Sequence, residues 1–208
     1  MLYLTGCIPK NPEMQQQLLD TGIGVLLTPY SQRTLPSPQW TWAADNGCFG
    51  KTWERTTWQQ WLQNRQADHA PLFATVPDVV ADHAGTIARW REYAPIVTSM
   101  GYRTAFVLQD GATTSNIPLA DFDALFIGGS TKFKLSQEAR TIVRHCKEHG
   151  KWVHMGRVNS KRRIQTAYEW GCDSVDGTYL AFSPDANTPR LVKMVTAGTQ
   201  PTLFNNNY

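Results

Sequence analysis

Six short apolar segments of this chain each run into a polar cluster, and those clusters carry the chemistry. Asp45-Asn46-Gly47-Cys48-Phe49-Gly50 follows one, and Pro77-Asp78, with Asp82 and His83 beyond, follows the next. Gln109-Asp110-Gly111, Gly128-Gly129-Ser130, Met155-Gly156-Arg157 with Asn159, and Asp176-Gly177-Thr178 follow the other four. Gathered around one cavity, these groups would make an active site, with carboxylates able to serve as nucleophile or as general acid and base. Each cluster also has a plainer explanation, because Asp at a strand end makes an Asx turn or caps a helix and Gly-Gly makes a turn. The plainer explanation does not call for Asp, Gln and Arg at successive segment ends.

The apolar segments read as strands: Leu2–Cys7, Gly24–Tyr30, Trp40–Ala44, Leu72–Val76, Arg103–Leu108, Ala124–Ile127, Lys151–His154 and Asp173–Val175, each bounded by Gly, Pro, Asp or Asn. Near-continuous apolar runs such as TAFVL and ALFIGG suit parallel strands covered on both faces. Spacing and caps predict helices over Pro12–Leu19, Thr57–Asp68, Thr86–Met100, Ser136–His149, Lys161–Trp170 and Pro189–Ala197. Eight strands with a helix after most of them predict an α/β chain, a compact (β/α)8 TIM barrel near the lower size limit of about 200 residues. An open doubly wound sheet competes, but the first strand runs into Thr5-Gly6-Cys7-Ile8-Pro9 rather than a Gly-rich phosphate loop. One domain is expected over residues 1–198, with a frayed tail at 199–208. In such a barrel the working residues stand at the C-terminal ends of the strands.

With 208 residues, 41% hydrophobic and 18% charged, the chain is long enough to bury a core and is a poor candidate for disorder. No apolar run approaches the roughly 18 residues of a membrane span. The start, MLYLTGCIPKNPE, lacks the basic opening and long apolar run of a signal peptide. A net charge of +3 permits a nucleic-acid partner without requiring one. Cys7, Cys48, Cys146 and Cys172 form no Cys-x-x-Cys pair, so reduced thiols in a cytoplasmic protein are expected. Most of the eight tryptophans are expected in packing, with some available to stack on bases.

The ordered set of clusters resembles the tRNA-guanine transglycosylase superfamily, whose members exchange guanine for a 7-deazaguanine base. Asp45-Asn46-Gly47-Cys48-Phe49 is similar to that family's Asp-Ser-Gly-Gly-Phe, and Val107-Leu108-Gln109-Asp110-Gly111 to its Val-Gln-Gly-Gly. Ile127-Gly128-Gly129, His154-Met155-Gly156 and Gly171-Cys172-Asp173-Ser174-Val175-Asp176 continue the match in the family's order. The resemblance implies that Asp176 is the nucleophile on the anomeric carbon and Asp45 the general acid and base. Asp78 and Gln109 would hydrogen-bond the base edge. Gly128 and Gly129, with Gly156 and Phe49, would close that pocket, and Met155 would pack on the base plane. The phage and bacterial relatives that place such bases in DNA are the nearest in kind, which implies the cytoplasm, or the host's if the chain is phage-encoded. The family's zinc subdomain is missing, since no Cys or His follows Asp176. Gly50 stands where the family has a glutamine, Cys48 replaces a glycine, and Val79-Val80 follow Asp78 in place of an acid and a cysteine.

Arg157, Asn159, Lys161, Arg162 and Arg163 are expected to meet phosphates, because loops after the last strands of such barrels do so commonly, and Lys132 and Lys134 could extend the same track. The expected partners are DNA, tRNA less so, and a 7-deazaguanine base; no cofactor and no metal are expected. Three other functions fit the same residues: an N-glycosidase using water as acceptor, an inert nucleotide-binding barrel, and a metal-dependent hydrolase with ligands Asp78, Asp82 and His83.

Overall fold

The computed structural model describes residues 1–31, 37–50 and 53–198. Eight short parallel strands follow one another around a closed barrel: β1 (Leu2–Thr5), β2 (Gly24–Leu27), β3 (Trp42–Ala44), β4 (Ala74–Thr75), β5 (Thr104–Leu108), β6 (Ala124–Ile127), β7 (Trp152–Met155) and β8 (Ser174–Gly177). Strand β8 pairs with β1 to close the ring, Leu4 opposite Asp176. Seven α-helices accompany them: α1 (Pro12–Asp20), α2 (Arg55–Asn64), α3 (His83–Ser99), α4 (Thr131–Lys134), α5 (Gln137–Glu148), α6 (Lys161–Glu169) and α7 (Pro184–Gly198). Among the described residues no helix lies between β2 and β3 or between β5 and β6. None is long and apolar enough to cross a membrane. All four cysteines are free thiols.

Side chains alternate across each strand, which divides the core in two. Leu4, Leu26, Ala43, Phe73, Ala105 and Ala124 fill the inside of the barrel with Phe126 and Trp152 against them. Val25, Leu27, Trp42, Phe106, Leu108, Ile127, Val153, Met155 and Val175 face the helices. Inside, small alanines leave room for the Phe73 and Phe126 rings, which meet edge to face at 6.4 Å.

The helix starts are set by side-chain caps. Asn11 accepts the Glu13 N–H with Pro12 behind it, and Ser130, Ser136 and Ser160 cap α4, α5 and α6 in the same way. Helix α3 begins at His83 rather than Thr86 because Asp82 is its cap, accepting the Gly85 N–H at 3.0 Å. Helix α7 starts at Pro184, so Pro189, read as its beginning, lies inside it. The stretch predicted as one helix over Thr57–Asp68 begins at Arg55 and tightens into a 3-10 turn at Arg65–Ala67. The strands are mostly shorter than their apolar runs; β2 stops at Leu27, short of Tyr30. Strand β8 instead starts one residue late and runs on through Asp176, which the sequence had placed beyond it. The tail at 199–208 lies outside the described residues.

Gly24 opens β2 where the neighbouring chain passes closest: an added Cβ would overlap the Thr41 carbonyl oxygen, a backbone atom that cannot turn away. Gly24→Ala is expected to lower stability by about 1–3 kcal/mol. Chemical denaturation measures this, and an unchanged midpoint would contradict the close approach.

Candidate active site

A cavity of about 880 Å³, partly open to solvent, sits at the C-terminal ends of the strands. Every strand end contributes to its wall: Gly6, Thr28, Asp45, Asp78, Gln109, Gly128, Arg157 and Asp176 follow or end β1 to β8 in turn. Asp45 and Asp176, 131 positions apart in sequence, therefore face one space.

Asp176 is held from below. Its Oδ1 lies 3.0 Å from His154 Nε2 and accepts the Arg157 backbone N–H at 3.2 Å. His154 is fully buried inside the barrel, its ring against Phe73 and Phe126. Its Nδ1 is 2.8 Å from Ser174 Oγ, which also accepts the Trp152 indole N–H at 2.9 Å. An indole N–H only donates, so the Ser174 hydroxyl proton is available to His154 Nδ1, and the imidazole then donates from Nε2 to Asp176. Asp176 Oδ2 has no hydrogen-bond partner among the described residues. Arg157 reaches its position with φ near +60°, a strained conformation for a side-chain-bearing residue. Its guanidinium donates to the Gly129 carbonyl and lies 4.2 Å over the exposed Phe49 ring.

Asp45 is supported more weakly. Thr75 Oγ1 donates to it at 3.3 Å. Loss of water and the negative charges of Asp176 and Asp78 push its carboxyl up to about 7, against smaller opposing effects of the Gly47 backbone and Thr75. A carboxyl near 7 gains and loses its proton around neutrality, the property a general acid and base needs.

The opposite wall is a prearranged polar network. Asp78 accepts from Asn46 Nδ2 at 2.8 Å and from Gln109 Nε2 at 2.6 Å, and burial raises its carboxyl. Gln109 Oε1 accepts the Ala81 N–H at 2.8 Å, with Ala81 also at positive φ. Each Asp78 oxygen and the Gln109 amide keep capacity for one more bond. Gly128 is required beside them, because a Cβ there would press on Gln109 Nε2 and the Leu108 carbonyl.

The expected site residues thus divide. Asp45, Asp78, Gln109, Gly128, Gly129, Phe49, Arg157 and Asp176 line the cavity. Met155 does not: it points outward into the helix-facing core, one step out of phase with His154 and Asp176. Gly156 lies behind Asp176, where a Cβ would meet the Phe126 ring. Arg157, Asn159 and Arg163 line an adjoining recess, whereas Lys132, Lys161 and Arg162 are exposed and line neither space. No tryptophan reaches the cavity; its aromatic walls are Phe49 and Phe126. The metal-ligand set is not assembled. Asp82 caps α3, His83 Nε2 faces the Asn116 carbonyl, and Asp78 is tied to Asn46 and Gln109. No group of three or more acids, histidines or cysteines among the described residues is placed to hold an ion. Sequence reasoning missed His154, Ser174 and Asn46 as site residues. The His154/Ser174 pair has one available signal, polar residues at strand positions in phase with Asp176.

The raised Asp45 carboxyl favours the protonated folded state. Its contribution to stability is present at acid pH and is lost as pH rises through about 7. Asp45→Asn is therefore expected to be more stable than the parent at pH 8, with the difference shrinking toward pH 4. Denaturation midpoints across that range check this, and a pH-independent difference would refute the proton on Asp45. No family model matches the chain, and a search of curated proteins finds no significant match.

Proposed function

We propose that the chain is a base-exchange glycosyltransferase acting on nucleic acid, a small (β/α)8 barrel of the guanine transglycosylase kind. The observation that carries this reading is the convergence of Asp45 and Asp176 on one cavity, with different support for each. Asp176 Oδ2 attacks C1′ of the sugar. The C1′–N9 bond breaks, its electron pair leaves with guanine, and Asp45 delivers the proton that guanine needs. The incoming 7-deazaguanine gives its ring N–H proton to Asp45 and attacks C1′, releasing the Asp176 carboxylate. Two displacements retain the configuration of the sugar. Asp78, an acceptor when ionised, reads N–H groups of the base edge beside Gln109, and Phe49 offers a stacking face. The target nucleotide must leave its stack to reach the cavity. On this reading DNA and a free 7-deazaguanine are the substrates and the cytoplasm is the setting.

Incubation with DNA and labelled 7-cyano-7-deazaguanine tests the proposal. Label should enter the polymer with release of one guanine per incorporation. Asp176→Asn should reduce incorporation by roughly 10³-fold or more, and Asp45→Asn by roughly 10²–10⁴-fold. Guanine release without incorporation would replace exchange by hydrolysis. Full activity in Asp176→Asn would remove the covalent step, and no turnover on DNA or tRNA would leave only a binding barrel.

A further inference from the structure

Beside the main cavity lies a recess of about 700 Å³, sharing Phe49, Arg157 and Thr178 with it. We propose that this recess is a phosphate-binding subsite centred on the buried amine of Lys134. Lys134 closes the four-residue helix α4 and is 5% exposed. Its Nζ donates to the Gly156 carbonyl at 2.5 Å, which leaves two ammonium protons for the recess. Arg157 and Arg163 complete a ring of three cations, with Arg163 Nη1 donating to the Arg157 carbonyl at 3.3 Å. Among the described residues none of the three forms an ion pair.

Uncompensated buried charge is costly, and three like charges around one space compound the cost. Burial, then Arg157 and Arg163, push the Lys134 amine down to about 7; Asp176, the one acid acting on it, pulls the other way. A bound anion would relieve both burdens. Three cations spread around a recess call for an anion with several charged oxygens rather than a single carboxylate. Asn159 and Thr178, locked together by the Thr178 N–H to Asn159 Oδ1 bond at 2.7 Å, add a rigid polar wall. The shared wall at Arg157 puts the anion next to the space containing Asp176. The anion site stands on the recess alone. Its assignment to the phosphate of the nucleotide whose sugar meets Asp176 rests on the base-exchange reading.

Inorganic phosphate, titrated into the full chain against a chloride-matched control, should produce saturable amide NMR shifts at Gly129, Gly156 and Arg157. Lys134→Met and Arg163→Gln should each weaken that binding at least about tenfold, the loss of one charge-assisted contact. Arg163 is only partly buried, so its variant remains informative if Lys134→Met fails to fold. Deoxyguanosine 5′-monophosphate should bind at least about tenfold more tightly than deoxyguanosine, and Arg163→Gln should erase the gap. No saturable shift, or binding indifferent to both substitutions, would overturn the subsite. Phosphate binding with equal affinity for nucleotide and nucleoside would overturn its assignment to the substrate. Saturable phosphate binding by a parent chain that exchanges no base would sink the exchange reading and leave the anion site standing.

Discussion

Like charges in a poorly hydrated space repel, and the two carboxylates at the mouth of this barrel are organised around that fact. Asp45 has a hydroxyl and a backbone N–H to steady a negative charge, with two acids nearby to oppose it. Asp176 has a backbone N–H on one oxygen and a histidine beneath it. The support is therefore unequal, and the proposed displacement at a sugar asks the two carboxyls for different roles, one as acid and one as nucleophile. The Trp152–Ser174–His154 chain leaves His154 Nε2 able to donate to Asp176 Oδ1, and Oδ2 is the Asp176 oxygen without a hydrogen bond among the described residues.

That division depends on strand register. His154 pairs with Ser174 across β7 and β8, and Leu4 with Asp176 across β8 and β1. A slip of one residue in β8 would turn Asp176 toward the helices and bring Val175 into the cavity. The interior is fitted to this register: the alanines of β3, β5 and β6 make room for the Phe73 and Phe126 rings, which pack against His154.

The strand ends were legible because turn residues and polar clusters mark them, and the barrel follows from counting strand–helix alternations. The parity of each strand was not. Parallel strands buried on both faces lack the apolar–polar alternation that tells inside from outside. In Trp152-Val153-His154-Met155 only the polarity of His154, in phase with Ser174 and Asp176, hints that it is inward and Met155 outward, and the resemblance assigned Met155 rather than His154 to the base. Lys134 was legible beside Lys132 as a basic residue that could meet phosphate, but its burial was not. Lysines are almost always exposed, and a helix of four residues has no period to reveal a buried face. Lys132, two residues earlier and exposed, looked equivalent in sequence.

The backbone shows where the fold bears strain to hold this arrangement. Three side-chain-bearing residues have positive φ, and two of them, Ala81 and Arg157, give their N–H groups to Gln109 and Asp176. In each case a backbone donor aims at a polar atom on a neighbouring strand end, a bond that a relaxed loop would direct elsewhere. Strain of this kind costs about 1–3 kcal/mol per residue and persists only where surrounding structure enforces it. Around Asp176 and Gln109 it fixes polar groups before any ligand arrives, so the bonding capacity left over points into the cavity.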